Sequence, residues 1–186
     1  MRKLLQASMG RIGVFPPEKL VICTLLSEDA LLPAVRRTLE QVLGPVDYSS
    51  SLLPFDFTRY YEEEMGPELW RCFFGMETLV DPGTLAQIKI QTNRMEESFA
   101  VEGKRRVNLD PGLLALSRFV LATTKENAHR IPLQDGIWAE ITLLYTKKDF
   151  QPLPWTYPDY ATRTYRDILL EIRSLYKEQL KLHQRS

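Results

Sequence analysis

The feature that most constrains the fold is the run KLVICTLLS, residues 19 to 27, which is apolar without alternation. A strand with one wet face alternates polar and apolar residues, so an unbroken run predicts a central strand covered on both faces. The elements that follow must supply that cover. Leu31, Leu32, Val35, Leu39, Val42 and Leu43 recur at helical spacing, and Gly44-Pro45 ends the helix they predict. Residues 46 to 53, VDYSSSLL, read as a weaker strand. Trp70, Cys72, Phe74 and Met76 then alternate with Arg71, Phe73, Gly75 and Glu77 at the period of a strand.

A second long helix opens at Asp81-Pro82-Gly83 and carries Leu85, Ile88, Thr92, Met95 and Phe99 on one stripe. Residues 105 to 110, RRVNLD, alternate again. Asp110-Pro111-Gly112 repeats the earlier opener, so a third helix is expected through Leu113, Leu116, Ser117, Val120 and Leu121. HRIPL and IWAEITLLYT flank Gln134-Asp135-Gly136 as a β-hairpin, and a Pro-rich strap leads to a terminal helix over about 161 to 182. The opening order is βαββαβ, the ferredoxin-like pattern. The expected fold class is therefore α+β, a ferredoxin-like core with an added helix, a hairpin and a C-terminal helix on a mostly antiparallel sheet. A doubly covered mixed sheet is the alternative.

At 186 residues one domain is expected over 1 to 186, with 1 to 17 as an irregular N-terminal arm. The 24 basic and 24 acidic residues cancel, which argues against a nonspecific nucleic-acid binder. Cys23 and Cys72 lie in apolar strands and read as buried free thiols. No apolar run approaches the length of about 20 residues that spans a bilayer. The N-terminal segment lacks the apolar stretch of a signal peptide, so a cytoplasmic location is expected.

Unusual polar residues gather in four blocks: PFDFTRYYEEEMG (54 to 66), KRRVNLDPG (104 to 112), LATTKENAHR (121 to 130) and LPWTYPDY (153 to 160). In the first, Thr58 is placed to cap a short helix through Met65. Asp56, Tyr60 and Glu63 are candidate acid, base or ligand groups, weighed against solvated i,i+4 ion pairs worth a few tenths of a kcal/mol. In the second, Asp110 reads foremost as a helix cap worth about 1 kcal/mol, while Arg106 and Asn108 beside it suit an anion. Lys125, His129 and Arg130 compensate a helix C-terminus in the bland reading; with Thr123 and Thr124 they also suit a phosphate or carboxylate. His129 is the best-placed proton carrier near neutral pH, although a lone histidine is more often structural. Trp155 and Tyr157 either seal a core edge or stack on a planar ligand.

Neither glycine-rich phosphate loop is present, and with only His129 and His183 the usual zinc sites would lack ligands. A hard cation needs only one or two carboxylates, which leaves Asp56, Glu63 or Asp110 open to Mg²⁺. No metal site and no cofactor is assigned.

Together the four blocks, as PFDFTRYYEEEMG, GKRRVNLDPG, LATTKENAHRI and LPWTYPDY, closely resemble a prokaryotic family, domain of unknown function 4416, over about Gly10 to Lys177. Similar sequences tend to carry a bulkier residue where this chain has Pro132. Members are frequently labelled GTP-binding, a label the resemblance attaches to no named residue. The leading expectation is a domain that binds a small anionic ligand, a nucleotide or phosphorylated metabolite, with an enzymatic role left open. Its donors would be Arg106, Asn108, Lys125, His129 and Arg130; its acid, base or metal-ligand oxygens would be Asp56, Glu63 and Asp110. An RNA-interacting module using Lys104 to Arg106 and the strap aromatics is the second expectation. A structural or partner-binding domain is the third.

Overall fold

A computed structural model describes residues 13 to 183. Most of the expected N-terminal arm lies outside the described residues, and 13 to 17 enter the first strand without regular structure. Strand β1 (Glu18–Leu26) is buried along its whole length. After it come α1 (Leu32–Leu43), β2 (Val46–Ser49), β3 (Leu53–Phe55), a short α2 (Glu62–Met65) and β4 (Leu69–Val80). The rest of the chain is α3 (Leu85–Ser98), β5 (Val107–Leu114), β6 (Arg118–Thr123), β7 (Ile131–Pro132), β8 (Trp138–Thr146), β9 (Asp149–Pro152) and α4 (Arg163–His183).

The strands form one sheet in the order β2-β4-β1-β5-β6-β8-β7, with β3 added to β4 and β9 to β8. Every described ladder is antiparallel. β1, β2, β4 and β5, with α1 and α3 as crossovers, give the ferredoxin-like core in the order 2-4-1-5, so the α+β expectation holds.

The two faces of β1 explain its unbroken apolar run. Leu20, Ile22 and Leu26 pack with Val35 and Leu39 of α1 and with Leu85, Ile88 and Met95 of α3. Val21 and Cys23 face the other way, against Tyr165, Ile168, Leu169 and Ile172 of α4. Each fully buried Leu or Ile contributes roughly 1.5 to 3 kcal/mol, so this strand anchors both layers. Cys23 and Cys72 are buried and free, and burial pushes the Cys23 thiol up to about 12. Among the described residues no helix is long and apolar enough to cross a membrane.

The third helix expected over residues 113 to 121 is instead a hairpin. β5 continues through Leu114, Ala115 N–H donates to Arg118 O across a tight turn, and β6 returns. The reason lies in the second Asp-Pro-Gly. Gly112 faces Phe119 so closely that a Cβ would lie 2.5 Å from Phe119 Cζ, so this glycine makes room for a ring. Pro111 falls just before the β5–β6 ladder begins at Gly112, where β5 has β1 alone as a neighbour and a missing N–H is tolerated. Asp81, in the first Asp-Pro-Gly, does cap its turn: Gly83 N–H donates to Asp81 Oδ1 at 2.8 Å. Thr58 caps only a turn, accepting from Tyr60 N–H at 3.1 Å, and the short helix starts later, at Glu62. The 134 to 136 hairpin is present, joining β7 to β8.

Candidate functional site

β5 and β6 pair only between Gly112–Leu114 and Phe119–Leu121, then diverge. Divergence exposes the backbone edge of β5, which must find other partners. Helix α3 provides them. Leu109 N–H donates to Glu96 Oε1 at 2.8 Å, and Lys89 Nζ donates to Leu109 O and to Asp110 Oδ1, each at 3.0 Å. Above this edge lies a cleft of about 900 Å³, within the usual range for a small-molecule site. All four polar blocks reach it: the first through Tyr60, Tyr61 and Glu64, the second through Arg105, Asn108 and Asp110. The third contributes Thr123, Thr124, Lys125 and Arg130, and the strap Tyr157 to Tyr160.

One wall is a polar chain. Asn108 Nδ2 donates to Asp110 Oδ2 at 2.7 Å, Arg105 Nη1 to Asn108 Oδ1 at 2.9 Å, and Arg105 Nε to Glu64 Oε2 at 3.1 Å. Within it two carboxyls are driven apart. Burial raises the Glu96 carboxyl above its ordinary value, with Lys89 and the Leu109 N–H offsetting only part of the effect. Burial would raise Asp110 as well, but Lys89, Arg71 and Asn108 outweigh it and hold the group low. Asp110 is therefore a carboxylate at neutral pH. Separated carboxyls in one site are the usual arrangement for acid and base roles.

The floor holds Arg71 of β4, only 3% exposed. Its Nη2 donates to Asp159 Oδ2 at 3.1 Å, and the rings of Phe55, Phe73, Tyr160 and Tyr165 stand 4.9 to 5.9 Å from its guanidinium carbon. Nε and Nη1 are buried without a hydrogen-bond partner. Buried guanidinium donors are seldom left unpaired, because desolvation is then uncompensated.

At the far wall Glu140 of β8 is 2% exposed. Its Oε2 accepts from Arg130 Nε at 3.0 Å and lies 2.8 Å from His129 Nε2, while Oε1 has no partner. Arg130 is tied in turn to Lys125 O and to the Tyr157 hydroxyl. His129 stacks on Trp155 with centroids 5.1 Å apart, and Trp155 Nε1 donates to Ile141 O.

A family model described as a domain of unknown function (DUF4416) matches residues 16–176. The chain belongs to that family. No curated protein and no solved structure matches it. The match spans every residue that lines the cleft in this DUF4416 member.

Of the residues singled out in the sequence, Asn108, Asp110, Lys125 and Arg130 line the cleft. His129 and Trp155 stand behind the far wall and hold Glu140 and β8 in place. Asp56 and Glu63 are exposed and lie outside the lining. Arg106 lies outside the cleft lining and donates to Glu28 Oε1 at 2.9 Å, bordering with Glu63 a shallower groove. Lys104, Arg105 and Arg106 all border that groove, together with Glu28, Glu62, Glu63, Glu64 and Glu102. Asp110 is no helix cap, since it sits in mid-strand.

Sequence reasoning passed over Arg71, Lys89, Glu96 and Glu140. The available signal was a charged residue inside an otherwise apolar strand, Arg71 in LWRCFFGM and Glu140 in IWAEITLLYT. The cleft's cations are Arg71, Lys89, Arg105, Lys125 and Arg130; its carboxylates are Glu64, Glu96, Glu97, Asp110, Glu140 and Asp159. The balance is close to neutral. Among the described residues no group of three or more His, Cys, Asp or Glu side chains is placed to hold a metal ion.

Proposed function

We propose that the cleft binds a small anionic ligand, a nucleotide or phosphorylated metabolite. The observation that carries this reading is Arg71: a guanidinium offers five N–H donors, and here one is used, with Nε and Nη1 buried and unpaired. An oxyanion reaching those nitrogens would complete their hydrogen bonds, and a guanidinium suits paired oxygens better than any other side chain. Lys125, exposed with its ammonium 3.8 Å from the Tyr60 ring centroid, adds a cationic donor, and Tyr61 and Tyr157 line the cleft with it. Asp110 and Glu96, with carboxyls pushed in opposite directions, supply an acid–base pair should the ligand also react. A cytoplasmic setting fits the two free thiols.

Mass spectrometry of small molecules released from the purified native protein tests the proposal, with Arg71→Met as the comparison. An anionic compound released from the wild type and absent from a folded Arg71→Met preparation is the expected result. A wild-type protein that carries only neutral or cationic compounds, or an unchanged load in Arg71→Met, refutes it. An RNA partner would announce itself by an affinity that falls steeply with salt, each neutralised phosphate adding to the slope.

A further inference from the structure

We infer that the ligand is dipolar, an oxyanion at the Arg71 end joined through a span of several atoms to an N–H-bearing group received by Glu140. The inference rests on the anion reading above and narrows it. Glu140 is 2% exposed and lines the cleft, yet only one of its oxygens is used. An ionised carboxylate accepts on both oxygens, and a buried acceptor without a donor is unfavourable. The group is not free to turn in search of one. His129, stacked on Trp155, and Arg130, tied to the Tyr157 hydroxyl, hold Oε2 and leave Oε1 without a partner. A carboxylate held this way is built to receive a donor such as an ammonium, amidine or ring N–H.

The charge around the cleft points in the same direction. Five cations stand against six carboxylates, so the site lacks the positive excess that attracts a polyanion. A molecule with one anionic end and one donor end matches that balance, and unpartnered buried atoms of opposite kind mark where each end goes. Strand order then sets the reach. Leu25 pairs with Arg71 and Asn108, Val21 and Leu121 both pair with Gly112, and Leu121 pairs with Glu140, so Arg71 and Glu140 rise from one face of the sheet. Four strand spacings separate β4 from β8, about 19 Å between backbones at about 4.8 Å each, and the four-residue step from the level of Leu25 to that of Val21 adds about 13 Å along the strands at about 3.3 Å per residue. Even with both side chains leaning inward, a compact zwitterion such as a free amino acid does not touch both.

The test uses ω-aminoalkyl phosphates with four-, six- and eight-carbon spacers beside n-alkyl phosphates of equal length, titrated into the full-length protein at neutral pH and followed by NMR. At least one aminoalkyl phosphate should bind about tenfold more tightly than its alkyl counterpart, a gap of about 1.4 kcal/mol. Glu140→Gln should shrink that preference to about twofold or less, and Arg71→Met should weaken both series. Alkyl phosphates that bind with no gain from the amine would overturn the dipolar inference and leave the anion reading standing. If neither series binds, both readings fall. The wild-type comparison decides the matter even where Glu140→Gln does not fold.

Discussion

Lys89 Nζ stands 3.0 Å from Asp110 Oδ1 and the same distance from Leu109 O, so a helix lysine closes the strand edge that β6 leaves open. The lysine side chain is 6% exposed and the aspartate 27%, which makes this the buried end of a pair whose other end looks into the cleft. The contact serves folding and site together: it satisfies the backbone of β5 and fixes a carboxylate where a ligand would meet it.

Asp110 and Asp81 are therefore expected to respond differently to substitution, although both precede Pro-Gly. Asp81→Ala removes one capping hydrogen bond and should cost about 1 kcal/mol. Asp110→Ala removes the nearer of the two carboxyls that face the buried Lys89 ammonium, leaving Glu96 at 3.6 Å, and should cost about 3 kcal/mol. Chemical denaturation of both variants decides between them, and equal losses would mean that the Lys89 contact contributes nothing beyond a cap.

Acid should erase the Asp110 contribution. Lys89 and Arg71 hold its carboxyl below the ordinary value of 3.8 despite burial, so its stabilisation is present above that value and fades as pH falls through the lower, folded-state value. Glu96, raised above 4.5 by burial, acts in reverse: its contribution favours the fold in acid and is lost as pH rises past the ordinary value. Stability of wild type and Asp110→Asn measured from pH 7 downward should converge below about pH 3.8. Parallel curves throughout would show that Asp110 does not titrate as part of the pair.

How much of this was legible in the sequence depended on whether a residue's environment is local. β1 announced its double burial because nine consecutive side chains obey one rule. The helix expected after Asp110 failed because Leu113, Leu116, Val120 and Leu121 fit helical spacing and a hairpin equally well, and only the packing of Phe119 over Gly112 separates the two. Tertiary contact, not propensity, made that choice.

The site divides along the same line. That four blocks rich in unusual polar residues share a surface was visible in composition, and they do meet at one cleft. Which member of each block faces inward was not visible, because Arg105 and Arg106 are neighbours in sequence, yet Arg105 binds Asn108 and Glu64 in the cleft wall while Arg106 binds Glu28 outside it. Arg71 and Glu140 were masked by their strands, where a single charge reads as a wet-face residue until the second layer of cover is known.

Folding should not depend on zinc. The two cysteines are buried thiols in separate core clusters, and His129 is committed to Glu140 and Trp155. Melting curves recorded with and without a strong chelator should superimpose. A fall of many degrees on chelation would require a ligand set that this arrangement does not supply.

Gly112 and Phe119 should behave as one unit. A Cβ at position 112 would sit 2.5 Å from Phe119 Cζ and 3.0 Å from Val120 O, and the ring end lies in a core shared with Val21, Leu143 and Phe150 that leaves it little room to retreat. Gly112→Ala should therefore cost roughly 1 to 3 kcal/mol through overpacking. Phe119→Leu alone should also destabilise, since it shrinks a fully buried ring. In the double variant the smaller side chain yields the space that the new methyl needs, so its loss should fall short of the two single losses combined by at least about 0.5 kcal/mol. Strict additivity in that cycle would mean that the hairpin tolerates a side chain at 112 by moving its backbone, and that the glycine was not what turned this segment from helix to strand.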